Sequence, residues 1–220
     1  MKLDFSVVAN AWQTLLSGTL GTIYLAIAGM AIALIIGILG VVVLRSQNRM
    51  AIFLVNAFIE IIRNTPFLVQ IYFVFFALPL VGVRLNPTAT AIVALGLNGG
   101  AYAIEIIRGG VESISKGQTE AGLALGLHKH EVFYFIVLKP ALRTIYPSLC
   151  SQFILLTLTT AICTSISAFE LTYVGQRIEA ETFRSFEVYF TLTLIYLFIS
   201  FMTMKMLNMI GNWAFNYPQR

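Results

Sequence analysis

Residues 111–130, VESISKGQTEAGLALGLHKH, form a polar interruption between long apolar runs, and their reading decides how the rest of the chain is understood. Ser115 followed three residues later by Gln118 matches a capping box, and the TEAGLALGL that comes next is rich in helix formers. The pattern predicts a helix over residues 118–127, with Gly117 weakening its first turn. Gly122 and Gly126 are four apart, so on that helix they share a face with Ala121 beside it, and small residues let another backbone approach closely. Glu120 stands near the start and His128, Lys129 and His130 near the end, the favourable sense for a helix dipole. Physical chemistry alone leaves two readings open, a solvated linker on a bilayer surface or a helix that docks onto a partner.

Outward from this stretch the composition fixes the class. The 220 residues are 58% hydrophobic and 11% charged, with mean hydropathy +0.85. Soluble domains carry about 25% charge, so the expectation is an all-α integral membrane protein in a lipid bilayer, built as one domain. Cys150 and Cys163 share one apolar run and would lie about 20 Å apart on a continuous helix, too far to bond. With only His128 and His130 in addition, no metal motif forms. The N-terminus, MKLDFSVVANAW, lacks the pattern of a removable signal peptide, so the first span is expected to be retained.

Apolar stretches predict about five transmembrane helices, at residues 23–44, 67–83, 87–107, 145–169 and 188–209, with a polar loop over 111–143 between the third and fourth. Residues 4–13 read as a short amphipathic lead-in and 170–187 as a polar, acidic connection. Residues 50–63 are apolar but too short to span alone, and Thr65-Pro66 breaks them from the next run, giving a bent second span or a surface helix followed by a span. One side of this layout collects Arg45, Arg49, Arg63, Arg108, Lys116, Lys129, Lys139, Arg143, Lys205 and Arg220; the other has Lys2, Arg84, Arg177 and Arg184. The positive-inside rule then puts the N-terminus outside and the polar loop and C-terminus in the cytoplasm. The net charge of +4 is thus a topology signal, not one for nucleic acid.

The run from Ala94, ALGLNGGAYAIEIIRGGVESISKGQTEAGLALGLHKHEVFYFIVLKPALR, closely resembles the inner-membrane permease subunits of ATP-binding-cassette (ABC) importers for polar amino acids, the histidine, glutamate/glutamine, arginine and opine group. In that family a signature loop begins Glu-Ala-Ala, has Gly four residues after the second Ala and ends Leu-Pro. Glu120, Ala121 and Gly126 match; Gly122 replaces the second Ala, and Lys139 stands where Pro is usual, with Pro140 next. IEIIRNTPFLVQIYFVFF, residues 59–76, resembles the family's Arg-x-Thr-Pro segment.

The resemblance implies the type I importer fold in the bacterial inner membrane, with the loop as a cytoplasmic coupling helix. It further implies two ATPase subunits that use ATP, a second permease subunit, identical or paralogous, and an extracytoplasmic substrate-binding protein. Glu120, Ala121, Gly122 and Gly126 become the ATPase-coupling residues.

The chain itself has no Gly-Lys pair, hence no phosphate loop, and no G-x-S-x-G or HExxH, so neither catalysis nor a cofactor of its own is expected. Polar groups inside spans are costly and mark pathways or helix ties. Asn98 and Glu105, seven apart on one face, and Thr164, Ser165 and Glu170, at the end of the fourth span, are the candidates for a substrate pathway, a carboxylate facing the amino acid's ammonium. The alternative for Asn98 and Glu105 is that they tie helices, Glu105 to Arg108. A secondary transporter or channel subunit not coupled to ATP is the rival function, though such proteins usually show more spans or an inverted repeat.

Overall fold

The structure is a computed structural model and describes residues 3–215, apart from the side chains of Lys116, Lys129 and Lys139. Lys2 and Arg220 of the charge bias lie outside that range. The described residues form α1 (Ser6–Asn10), α2 (Trp12–Leu44), α3 (Arg49–Arg63), α4 (Phe67–Leu80), α5 (Pro87–Glu112), α6 (Lys116–Ala124), α7 (Lys129–Glu131), α8 (Lys139–Thr159), α9 (Leu171–Thr182) and α10 (Ser185–Ala214). A π-helical segment (Val132–Leu138) leads into α8, and a 3₁₀ segment (Thr160–Ile166) closes it. Among the described residues four helices are long and apolar enough to cross a membrane, and the α3–α4 pair, bent by 116°, supplies a fifth crossing when counted as one.

The direction of the helices shows that it must be so counted. Gly29 packs on Leu95, Ile32 on Gly96, Ile36 on Gly100, Gly37 on Ala103 and Gly40 on Ile104, so α2 and α5 run parallel at glycine-to-side-chain distance. Between two parallel spans the chain must return once, and α3 with α4 is the return. Gly99 meets Leu156 and Gly110 meets Ile145, which makes α8 antiparallel to α5; the Tyr146 hydroxyl donates to the Leu207 carbonyl at 2.6 Å, which pairs α8 with α10. The start of α2 and the end of α10 therefore lie at opposite ends of the bundle.

Several elements outrun the expected spans. The first helix starts at Trp12, not residue 23, and its 33 residues reach about 50 Å, beyond the roughly 30 Å of hydrocarbon. Its extra turns are covered by protein: a Cβ on Gly18 would stand 2.9 Å from Val174, and one on Gly21 would strike the Phe169 carbonyl. Residues 170–187 are not merely a connection. Leu171, Val174, Gly175 and Ile178 recur with helical period and bury α9 against Val8, Leu15, Val188 and Leu192. The fourth span begins within the presumed loop, at Lys139, and tightens into 3₁₀ geometry over its Thr-rich end until Ser167 turns it at φ 60°. The last helix extends beyond 188–209 at both ends.

The corner between α3 and α4 follows from Pro66, which has no N–H to continue α3 and adopts an extended conformation. Asn48 caps α3, its side chain accepting from Met50 N and Ala51 N at 3.1 Å.

Candidate functional site

The polar segment folds as a short helix on the end of the bundle where α2 and α5 finish. Ser115 is the N-cap residue of α6, in extended conformation, but its side chain makes no capping bond, so the expected capping box is absent. The helix ends at Ala124, before Gly126. The Gly126 N–H donates to Leu123 O and the Leu127 N–H to Gly122 O, the paired bonds of a Schellman stop, with Gly126 at φ 85°. Gly126 is thus the left-handed terminator of the helix and does not share a helical packing face with Gly122. Among the described residues nothing lies within 4 Å of where its Cβ would be. Gly122 is buried, and its small size admits Ile136 and Val132 of the π-helical segment. The close approach at this glycine pair is thus made by side chains of the chain itself, and at Gly122 rather than Gly126.

Glu120 and Ala121 are exposed, as are Leu123 (42%) and Leu125 (83%). A turn through Gly126 aims the chain into α7, where the His128 N–H donates to the Glu131 carboxylate at 2.7 Å. His128 and His130 stack with ring centres 5.7 Å apart.

The candidate pathway residues fall into separate places. Asn98 and Glu105 do look the same way from α5, toward the α3–α4 corner. The Asn98 amide donates to Gln70 Oε1 at 2.9 Å, and the Gln70 amide donates in turn to Ile62 O (2.7 Å), Thr65 O and Thr65 Oγ1. Glu105 accepts from Arg63 at 3.0 Å and pairs with Arg108 at 2.9 Å, while Arg63 also lies over the Tyr102 ring. These two α5 residues, two turns apart, pin the corner where the chain turns by 116°.

Glu170 lies elsewhere, at the α9 end, fully buried as the N-cap of that helix. Its oxygens accept from Tyr173 N (2.6 Å), Thr172 N (2.9 Å) and the Tyr196 hydroxyl (2.7 Å), and the next residue's N–H donates to Thr22 Oγ1. Burial pushes its carboxyl above the ordinary carboxylate range, against these hydrogen bonds. Thr164 donates to Gln176 Oε1 at 3.0 Å; Ser165 Oγ is buried with no partner among the described residues.

Gln70, Gln176, Thr22 and Tyr196 went unnoticed in the sequence. An amide inside the apolar run of α4 was the available signal for Gln70. Among the described residues no group of three or more potential metal ligands comes together.

Residues 29–214 match the family described as "Binding-protein-dependent transport system inner membrane component". The chain belongs to this family. It is a permease subunit of a transport system and an inner-membrane protein. The permease is 38% identical over 202 residues to the glutamine transport system permease protein GlnP of Escherichia coli (strain K12), covering 91% of this chain and 92% of the relative. It is 31% identical to the nopaline transport system permease protein NocM of Agrobacterium fabrum (strain C58 / ATCC 33970), over 99% and 94% of the two chains. A solved structure described as an amino acid ABC transporter with histidines superposes with TM-score 0.89 at 27% identity, covering 96% of the permease and 99% of that chain. A chain of the MetNI methionine ABC transporter shares the fold, with TM-score 0.68 at 20% identity over 94% and 95% of the two chains.

Proposed function

We propose that this permease forms the membrane pathway of an ATP-driven importer for a polar amino acid and that α6 couples it to a separate ATPase. The observation that carries this reading is the exposed α6 with its glycine stop, set between two spans of a chain whose relatives are amino acid permeases. A helix that, among its described side chains, buries only Gly122 and leaves Glu120, Ala121, Leu123 and Leu125 outward is built to be covered by something else.

Glu120, Ala121, Gly122 and Gly126 act in coupling, but in different ways. Glu120 and Ala121 meet the ATPase groove, Gly122 seats α6 on the chain's own return segment, and Gly126 sets where α6 stops. The arginine-rich end is cytoplasmic, the N-terminus outside and the C-terminus inside, as the basic bias requires. The complex comprises two ATPase subunits, a second permease subunit and an extracytoplasmic binding protein that delivers substrate. ATP is consumed by the ATPase, and this chain holds no cofactor.

Asn98, Glu105, Thr164, Ser165 and Glu170 act on the pathway mainly by fixing the helices that line it. Asn98 and Glu105 hold the α3–α4 corner and Glu170 holds α9, while Ser165 retains a hydroxyl to offer.

The test is uptake of radiolabelled glutamine and other polar amino acids into proteoliposomes holding the permease complex. Uptake should require the binding protein outside and ATP with the ATPase on the α6 side. Uptake that proceeds without ATP or the ATPase would establish the rival, an uncoupled transporter or channel.

A further inference from the structure

Where α2 and α5 end and α3 begins there is a cleft of about 210 Å³ that neither the pins of the α3–α4 corner nor α6 explains. It is lined by the apolar Val41, Leu44, Ile52 and Val111 together with the polar Arg45, Asn56, Arg108 and Glu112. Among the described residues nothing hydrogen-bonds or pairs with the Arg45 guanidinium or the Asn56 amide. Arg108 engages Glu105 through Nη2 only, which leaves its other nitrogens as donors. Glu112 forms no ion pair with either arginine among the described residues. The cleft thus presents donors from three helices and a net positive lining.

The exposed face of α2 that leads to Arg45 points to the ligand. Arg45 is three and seven residues beyond Val42 and Ile38, so all three share one face of α2, and Ile35 continues that face. Ile35, Ile38 and Val42 are 58%, 57% and 63% exposed, a bare apolar stripe running down the span from the arginine. On α3, Met50, Phe53 and Leu54 are likewise bare. An apolar stripe topped at the span end by cationic and amide donors is complementary to a molecule with acyl chains and an anionic phosphodiester.

We propose that this cleft binds the headgroup of an anionic phospholipid, with Arg45, Arg108 and Asn56 on the phosphate and an acyl chain along Ile38 and Val42. A guanidinium donates to two phosphate oxygens at once, and basic residues at the ends of spans are drawn to anionic lipid. Glu112 opposes the ligand and sets how selective the cleft is for charge. The proposal needs only the membrane reading and not the importer function.

The test is native mass spectrometry of the detergent-solubilised full chain titrated with phosphatidylglycerol or phosphatidylcholine. Wild type should bind phosphatidylglycerol several-fold more tightly; Arg45→Gln should lose about fivefold of that preference, and Glu112→Gln should increase it by a similar factor. Arg84→Gln, between α4 and α5, should behave as wild type. Millimolar inorganic phosphate should not displace the lipid, because it lacks the acyl chains. Equal binding of the two lipids, wild-type behaviour of both Arg45→Gln and Glu112→Gln, or full displacement by phosphate would overturn the proposal, the last in favour of a free-anion site. Lipid absent from the dimer but present on the monomer would also overturn it, because a second copy would then fill the cleft.

Discussion

In the connection between α5 and α8, α6 leaves Leu123 and Leu125 exposed and buries little beyond Gly122, whereas in the connection between α8 and α10, α9 buries Leu171, Val174, Gly175, Ile178 and the carboxylate of Glu170. The two segments look alike in sequence, polar stretches between apolar spans. Their difference lies in spacing: α9 carries an apolar stripe at helical period, and α6 does not. A polar connection with a stripe becomes part of the bundle, and one without it stays outside, available to a partner. The two also sit at opposite ends of the bundle, so the molecule has one closed end and one open end.

The comparison breaks first if the α9 end is not a tightly satisfied core. Glu170→Ala removes the buried acceptor of two backbone N–H groups and the Tyr196 hydroxyl, all of them part-buried bonds. A lost cap together with orphaned donors predicts a loss of about 3 kcal/mol, seen as a lower thermal midpoint in detergent. Gly18→Val comes next. Its Cβ would stand 2.9 Å from Val174 and 3.1 Å from the Leu171 backbone, which has little room to yield, so overpacking should cost about 2 kcal/mol. If either variant keeps the wild-type midpoint, α9 is a loose surface element and the contrast fails.

At the α6 end the expected effects are smaller and of backbone origin. Gly126→Val should cost about 1 to 2 kcal/mol because Gly126 sits at φ 85°, and Gly126→Asn should cost less, since Asn tolerates the left-handed region. Gly117→Ala, with open space around it and no such backbone demand, should instead stabilise α6 by about 0.5 to 1 kcal/mol. Helical content of the isolated variants by circular dichroism, with thermal melts, checks the set. A Gly126→Val variant that melts like wild type would restore the helical-face reading of that glycine.

A pH series sharpens the contrast further. The Glu170 carboxyl is raised by burial, so the folded state holds its proton more tightly than the unfolded chain does. The stability this contributes is complete below the ordinary carboxylate range and is lost as pH rises through the folded value. The thermal midpoint should fall as pH rises above the ordinary carboxylate range in wild type, and less so in Glu170→Gln. An identical slope in both would remove Glu170 as the source.

Much of this was readable from the residues. Hydropathy pointed to an all-helical membrane protein of about five crossings, and the helix-forming run read over 118–127 overlaps α6. Helix ends escaped because apolar length marks what lipid can cover, while α2 begins earlier, where α9 covers it. The role of Gly126 escaped for a different reason. Spacing of four places two residues on one face only if the helix continues, and a glycine four residues after another also marks a stop. Glu105 was legible as a partner of Arg108, but Arg63 and the Gln70–Asn98 link needed the 116° fold of α3 on α4, which no local pattern encodes.

The open end is the central claim, and Leu125 tests it most directly, being 83% exposed and outside every core cluster. Leu125→Glu and, at the closed end, the surface change Glu181→Lys should both leave the thermal midpoint within about 0.5 kcal/mol of wild type. Co-purification of the ATPase with each variant then reads the two ends separately. Leu125→Glu should lose most of the bound ATPase and of amino acid uptake, and Glu181→Lys should keep the ATPase at the wild-type ratio. If Leu125→Glu retains the ATPase in full while Glu181→Lys releases it, the partner sits on the end assigned here as closed, and α6 is only a linker.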